Sequence, residues 1–248
     1  MENNNANNGN EQKFQYTGDD VLDVMAKYGI NRNKSVETII RKYLLENIKP
    51  ENGQKIKLLE FGAGRGEFIN RFKTEPQLEL FAVELDEQYF KNLASQYTAY
   101  QDIAQMPDSS LDGIYLIDVL EHIENDVEML NIFHQKLKKG GKILIYVPAR
   151  MELFSNFDTE IGHFRRYHKA ELKEKVVNAK FAVDKISYHE IIGYFAAYYN
   201  KLFSKKGEQL NKNAVMIYDK FLVPPTNFIE RFISPPIGKS LYIIATKI

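Results

Sequence analysis

The residues best placed to do chemistry form a glycine-rich loop, Gly62-Ala63-Gly64-Arg65-Gly66, directly after the apolar run Ile56 to Phe61. Glycines there let the backbone turn sharply and let a ligand approach the main chain with no Cβ in the way. A helix predicted over Glu67 to Phe72 would aim free N–H groups at the polar end of a ligand. Twenty residues after Gly64, at the end of the next apolar run, stands Glu84. An acid at that place accepts hydrogen bonds from ribose hydroxyls. Loop and acid together describe a nucleoside-binding crevice, with Asp86 a second ribose candidate at a poorer offset. The dinucleotide fingerprint is G-x-G-x-x-G, and its third glycine, counted from Gly62, falls on Glu67. A carboxylate there opposes a pyrophosphate but not a cofactor that lacks phosphates. A second set of candidate residues comprises His122 and the stretch Gly162-His163-Phe164-Arg165-Arg166-Tyr167-His168.

The elements that must position these residues follow from hydrophobic periodicity. Val21 to Ile48 has apolar residues at spacings of three and four, and Asn31 to Lys34 looks like a break between two helices. Short apolar runs then alternate with amphipathic stretches. Strands are predicted at 56–61, 78–85, 98–102, 111–118 and 142–147, and helices at 67–72, 87–96 and 125–138. Lys138-Lys139-Gly140-Gly141 reads as a helix C-terminus, cations in its last turn and glycine beyond. After Pro148 the rhythm loosens. Residues 151–168 have no clear period, 169–181 is helical, 183–189 extended and 193–203 helical and aromatic. Leu241 to Lys247 alternates and is predicted as a closing edge strand. Regular alternation of strand and helix means an α/β chain with a doubly wound, mostly parallel, seven-stranded sheet. The domain reading is a disordered Asn-rich tail at 1–12 and an N-terminal helical cap at 13–50. The α/β domain covers 51–248, with a C-terminal lid insertion around 150–168 and 190–238.

The missing third glycine disfavours NAD(P) and favours S-adenosylmethionine. Leu58 to Gly66 resembles the first motif of class I S-adenosylmethionine-dependent methyltransferases. Ala82-Val83-Glu84-Leu85-Asp86 resembles their second motif, and Gln101 to Pro107 their third. Asp118-Val119-Leu120-Glu121-His122-Ile123 with Leu137 to Gly141 is similar to later motifs of the small-molecule, type 11/12-like branch. These motifs span roughly 55–150, in the family's order and spacing. The resemblance implies a Rossmann-like methyltransferase fold and S-adenosyl-L-methionine as cofactor. It also implies roles. Glu60 would lie near the methionine ammonium, directly or through water, and Gly62, Ala63 and Gly64 would pass under the methionine moiety. Glu84 would hold the ribose, Leu85 would pack on the adenine, and Asp102 would accept from the adenine amino group. Ile103 would offer a backbone contact, and Asp118 would end the fourth strand beside the sulfonium. Each has a plainer alternative: a turn for the glycines, a helix cap for Asp102.

Methyl transfer is an in-line displacement, so the protein's task is mostly alignment. Oxygen and nitrogen acceptors also shed a proton, and a nearby base helps. His122, His163, His168 and His189 are the candidates. His122 follows the fourth strand where the sheet opens, though it could equally be a packed or capping residue. His163, Arg166 and Tyr167 belong to a segment resembling a stretch of a methyltransferase subset, placed where a substrate lid should be. Alternatively, the arginines pin that loop to Asp158 or Glu160. Tyr194 and Tyr198 share a helix face, as core stripe or pocket wall. Phe14 and Tyr16 could close over the cofactor. Pro224-Pro225-Thr226 and Pro235 to Gly238 resemble the C-terminal end of the same subset.

Composition narrows the alternatives. The chain has 248 residues, no cysteine, and 33 acidic against 33 basic side chains. Disulfides and Cys-based zinc sites are excluded, and no metal site is assigned. Balanced charge gives no global field to attract nucleic acid, so a small-molecule substrate is expected. No run is long and apolar enough to cross a membrane, and the start lacks the pattern of a signal peptide, so a cytoplasmic location is expected. The competing functions are an NAD(P)-dependent oxidoreductase and a non-catalytic cofactor-binding scaffold. The acceptor and the oligomeric state are not legible.

Overall fold

The computed structural model describes residues 19–49, 53–203 and 211–248. The Asn-rich tail, Phe14 and Tyr16 lie outside the described residues. Seven strands form one sheet: β1 (Ile56–Phe61), β2 (Leu78–Val83), β3 (Thr98–Tyr100), β4 (Leu111–Ile117), β5 (Leu137–Pro148), β6 (Phe181–His189) and β7 (Ser240–Lys247). Their order is β3-β2-β1-β4-β5-β7-β6, with β7 antiparallel to both neighbours and the other pairs parallel. The doubly wound sheet read from the sequence is therefore present. The chain runs outward from β1 to β3, then crosses back to start β4 on the other side of β1. Connections leaving β1 and β4 diverge at their carboxyl ends and open a crevice there.

β7 is not the edge strand that the sequence suggested. It pairs with β5 through Leu144↔Ile244 and with β6 through Ile186↔Ile243, and its first six residues are buried. A strand covered on both faces and both sides needs the apolar run Leu241 to Ala245, and β6 takes the edge.

The two faces are covered differently. On one, α4 (Asp126–Lys136) and α6 (Lys169–Asn178) bring Leu130, Phe133, Leu172 and Val176 onto Leu59, Ile114, Leu116 and Ile143. On the other, the N-terminal segment supplies α1 (Asp19–Tyr28) and α2 (Ile30–Ile39), and α2 runs on helically to Asn47. Val36, Ile40 and Leu44, all 0% exposed, pack with Leu58, Tyr115, Leu144 and Tyr146. Residues 30–47 are thus one of the sheet's covering layers rather than a cap outside the domain. The helix break lies at Gly29, not at Asn31–Lys34. Asp219 decides this from far along the chain, because its carboxylate accepts from the backbone N–H groups of Asn31 and Arg32. It thereby satisfies the first turn of α2.

Boundaries move near the crevice as well. Gly66 has φ +83° and delays the following helix, so only a single tight turn, Ile69–Phe72, forms where a helix was expected. β2, β3 and β4 stop before Glu84, Asp102 and Asp118, which places all three acids just beyond the strand ends. α4 ends at Lys136, and Leu137 already pairs with Leu111, so Lys138–Gly141 lies within the first part of β5 instead of closing a helix. Asp86 caps α3 (Glu87–Ala94), accepting from the N–H groups of Gln88 and Tyr89. Beyond β5 come α5 (Asn156–Glu160), then α7 (Ile191–Phe203), α8 (Lys212–Ile217) and α9 (Val223–Glu230) between β6 and β7. Tyr194 and Tyr198 stack at 6.4 Å on α7, with Tyr198 exposed. No helix among the described residues is long and apolar enough to cross a membrane.

Candidate functional site

The glycine loop is built for close approach. Gly62 has φ +72°, and a Cβ there would lie 2.6 Å from Cγ2 of Val119, so the β1 and β4 loops touch without space for a side chain. Gly64 has φ +53°, but its missing Cβ would meet nothing nearer than Leu22 at 3.9 Å. Space is open above Gly64 and closed at Gly62. Glu84, 8% exposed, spans the crevice floor: one oxygen accepts from the N–H of Gly64 at 2.6 Å, the other from the N–H of Asp86 at 2.9 Å. Burial raises its pKa despite those bonds. Each oxygen keeps a second lone pair, enough for the two hydroxyls of a ribose. Leu85 follows directly beyond β2 and is 55% exposed, an apolar surface next to Glu84.

Asp102 accepts from the N–H of Ala104 and caps a short turn in which Ile103 is buried. Glu60, on β1, is 3% exposed and accepts from the Tyr115 hydroxyl at 3.0 Å. Burial pushes its pKa up to about 8, with the hydrogen bonds from Tyr115 and the Ile69 backbone working the other way. Glu67 is tied down by Arg71 at 2.5 Å. Arg65 pairs with Asp23, pinning α1 to the loop. The chain thus offers the two oxygens of one carboxylate for a diol, an exposed leucine next to it in sequence, an open glycine and a buried acid on β1. This set fits an adenosyl cofactor, and the cation of the loop, Arg65, is paired with Asp23.

At the end of β4 the backbone of Asp118 takes φ +54°, unusual for a residue with a side chain, while its N–H stays bonded to Tyr146 of β5. Its carboxylate meets Arg32 of α2 at 2.5 Å. Burial works against the charge of Arg32, but Asp118, with Tyr146 and Glu190, more than offsets this and holds its pKa above the ordinary value. Sequence reading missed Arg32. Its signal was a cation one turn before Val36, on the stripe that α2 buries.

The next turn carries Glu121 and His122. The rings of His122 and His163 meet edge to face at 4.6 Å. Burial first, then the nearby His163, lowers the pKa of His122 to about 4. His163 Nδ1 is 2.8 Å from Asp158. Asp158 also accepts from Arg166 Nε at 2.8 Å and from the N–H of Ser155. Although burial opposes it, the His163 bond and the Arg166 charge hold its pKa near about 2. Burial, then Asp118, drives the Glu121 carboxyl well above the ordinary range.

Two members of the expected substrate-facing set lie elsewhere. Tyr167 is 0% exposed, and its hydroxyl donates to Asp126 at 2.9 Å and to the Leu120 carbonyl. Arg166 is 8% exposed and committed to Asp158. Both hold the loop in place, the arginine alternative raised by the sequence, because interior acids claim them. His168 faces Glu152 at 3.7 Å, and His189 bonds Tyr146 and Ser35 within the interior. His122 and His163 remain. A groove of about 570 Å³ between α2, α9 and the end of β6 is lined by His189 but by neither His122 nor His163.

Residues 30–186 match the family described as a methyltransferase domain, well over half of the chain. The chain belongs to the class I methyltransferase family. A probable S-adenosylmethionine-dependent methyltransferase of Mycolicibacterium smegmatis is 24% identical over 135 residues, 51% of this chain and 52% of that protein. The chain therefore spans about half the length of this curated relative. A crystal structure of a SAM-dependent methyltransferase from Archaeoglobus fulgidus is similar at TM-score 0.57 and 20% identity, covering 92% of this chain and 99% of that one. Phosphoethanolamine N-methyltransferase 2 of Haemonchus contortus, solved with S-adenosyl-L-methionine, matches at TM-score 0.57 and 17% identity over 96% of this chain and 58% of that one. At such identities the solved structures speak for the fold. The oxidoreductase alternative gives way to the family match, and the chain carries its glycine loop, Glu84 and Asp118 inside the matched region.

Proposed function

We propose that this methyltransferase moves the methyl group of S-adenosylmethionine to an oxygen or nitrogen of a small-molecule acceptor. When bound, the cofactor supplies a methyl already activated by a sulfonium, so the chain need not build an electrophile. Glu84 holds the ribose and Leu85 packs on the adenine, with Asp102 and Ile103 at its edge. Gly62, Ala63 and Gly64 let the methionine end lie against the backbone, Glu60 answers its ammonium, and Asp118 borders the sulfonium. The observation that carries the acceptor reading is the imidazole pair, His122 and His163, one turn beyond Asp118. An oxygen or nitrogen nucleophile sheds a proton as the methyl arrives, and groups able to take it are useful within hydrogen-bond reach. Asp158 on Nδ1 of His163 leaves Nε2 of that ring as the acceptor nitrogen. A carbon nucleophile would instead need an enolate-like acceptor.

The test is turnover with methyl-labelled S-adenosylmethionine against a pool of small hydroxylated, amino and aromatic compounds. Label bound to oxygen or nitrogen, located by the carbon shift of the methyl, supports the reading. Label on carbon overturns it.

A further inference from the structure

Glu121 is 0% exposed, and neither of its carboxyl oxygens finds a hydrogen-bond donor. Buried polar groups are nearly always satisfied, so an interior acid with both oxygens bare asks for a partner. Its neighbours are ligands. One donor atom each from Glu121, His122 and His163 lies within 4.8 Å of the others. Glu121 Oε1 is 3.7 Å from His163 Nε2, too long for a hydrogen bond. Two ligands of one ion at about 2.1 Å from it lie roughly 3.0–3.4 Å apart, so closing the set takes a contraction of up to about 1.5 Å, within reach of side-chain rotation.

The rings are also held for this purpose. Asp158 accepts from Arg166 and Ser155 and so faces His163 as an acceptor. The proton of His163 is therefore assigned to Nδ1, and its Nε2 lone pair points toward Glu121. A carboxylate behind the far nitrogen of a histidine is the usual support of a metal-bound imidazole. The Gly162 backbone bonds the ring of His122. Charge points the same way: Arg32 is bonded to Asp118 and Arg166 to Asp158, and although one nitrogen of each is without a partner, neither arginine is bonded to Glu121.

The geometry points to a divalent-cation site formed by Glu121, His122 and His163, with Asp158 as the residue that positions His163. Two imidazoles and one carboxylate suit Zn²⁺, Mn²⁺ or Fe²⁺ better than the all-oxygen preferences of Mg²⁺ and Ca²⁺. Three protein ligands leave coordination positions open. With the cation bound, both imidazoles are its ligands rather than bases, and the cation would ease loss of the acceptor's proton by lowering its pKa; that role rests on the proposed function, the binding does not.

The full chain, stripped by chelation and dialysed, is titrated with Zn²⁺ by calorimetry and with Co²⁺ by visible absorption. One equivalent is expected to bind, with Co²⁺ bands of a nitrogen- and oxygen-ligated site. His163→Ala and Glu121→Gln should each weaken binding at least about tenfold, and Asp158→Asn about 10–100-fold, the range for lost support behind a ligand. His168→Ala should change nothing. Melting curves check each fold, and His122→Ala decides if Glu121→Gln does not fold. A folded parent that takes up no Co²⁺, or folded ligand variants that bind like the parent, overturns the site. Oxygen or nitrogen methylation without metal uptake sinks this inference and spares the proposed function. One bound equivalent with methylation on carbon does the reverse.

Discussion

Removing the Glu84 carboxylate should separate cofactor binding from folding. Both oxygens are engaged by backbone N–H groups, of Gly64 at 2.6 Å and of Asp86 at 2.9 Å. Glu84→Ala strands those donors. Gly64 lies under open space, where water can replace the lost acceptor, so the stability cost should stay near about 1–2 kcal/mol, the low end for an unmet donor. The binding cost is larger. Two ribose hydroxyls bonded to a charged acceptor contribute about 1.5–3 kcal/mol each, or about 3–6 kcal/mol together. That is a weakening of roughly 10²–10⁴-fold. Glu84→Gln keeps one acceptor and should fall between. Calorimetry with S-adenosylhomocysteine gives the affinity, and a thermal melt gives the fold. If Glu84→Ala folds and binds within about threefold of the parent, the ribose is not on Glu84. Asp86 is a weak substitute, since its side chain is already used to cap α3.

Other outcomes follow from the same geometry. With its pKa pushed up to about 8, Glu60 is mostly protonated at neutral pH. An ammonium placed beside it should expel up to about 0.9 proton per ligand at pH 7, read by titrating S-adenosylhomocysteine in buffers of different ionisation enthalpy and absent in Glu60→Gln. Between pH 4.5 and about 8, folded Glu60 keeps a proton that the unfolded chain has released. The parent should therefore lose stability relative to Glu60→Gln as pH rises through that window; a difference independent of pH would contradict the burial argument. Gly62→Ala should cost about 2–5 kcal/mol in urea unfolding, from a left-handed backbone and the clash with Val119. Adding Val119→Ala should restore the clash share, about 1–3 kcal/mol; a double variant no better than the single one would place the cost elsewhere.

Much of the scaffold was legible because its signals are local. Ile56 to Phe61 is a strand bounded by glycine, and the acids Glu84, Asp102 and Asp118 sit at strand ends that periodicity locates to within a residue or two. What escaped depends on partners distant in sequence. The start of α2 is set by Asp219, 188 residues away from Asn31. In the run Arg165-Arg166-Tyr167, nothing local says which side chain turns inward. Asp158 and Asp126 decide that, claiming Arg166 and Tyr167. The burial of β7 depends on strand order, which one strand's pattern does not report. Arg32 was overlooked because a cation in a polar stretch of helix reads as solvated until the carboxylate opposite it is known. Glu121 was read only as part of a family-like motif, because its bare oxygens are a property of the packed interior.

The most direct measurement is a crystal structure of the full chain with S-adenosylhomocysteine. The ribose hydroxyls should lie on Glu84, the adenine against Leu85 with its amino group toward Asp102, and the sulfur facing the corner of Asp118 and His122. A ligand whose ribose meets another acid, or whose sulfur points away from that corner, would contradict the account.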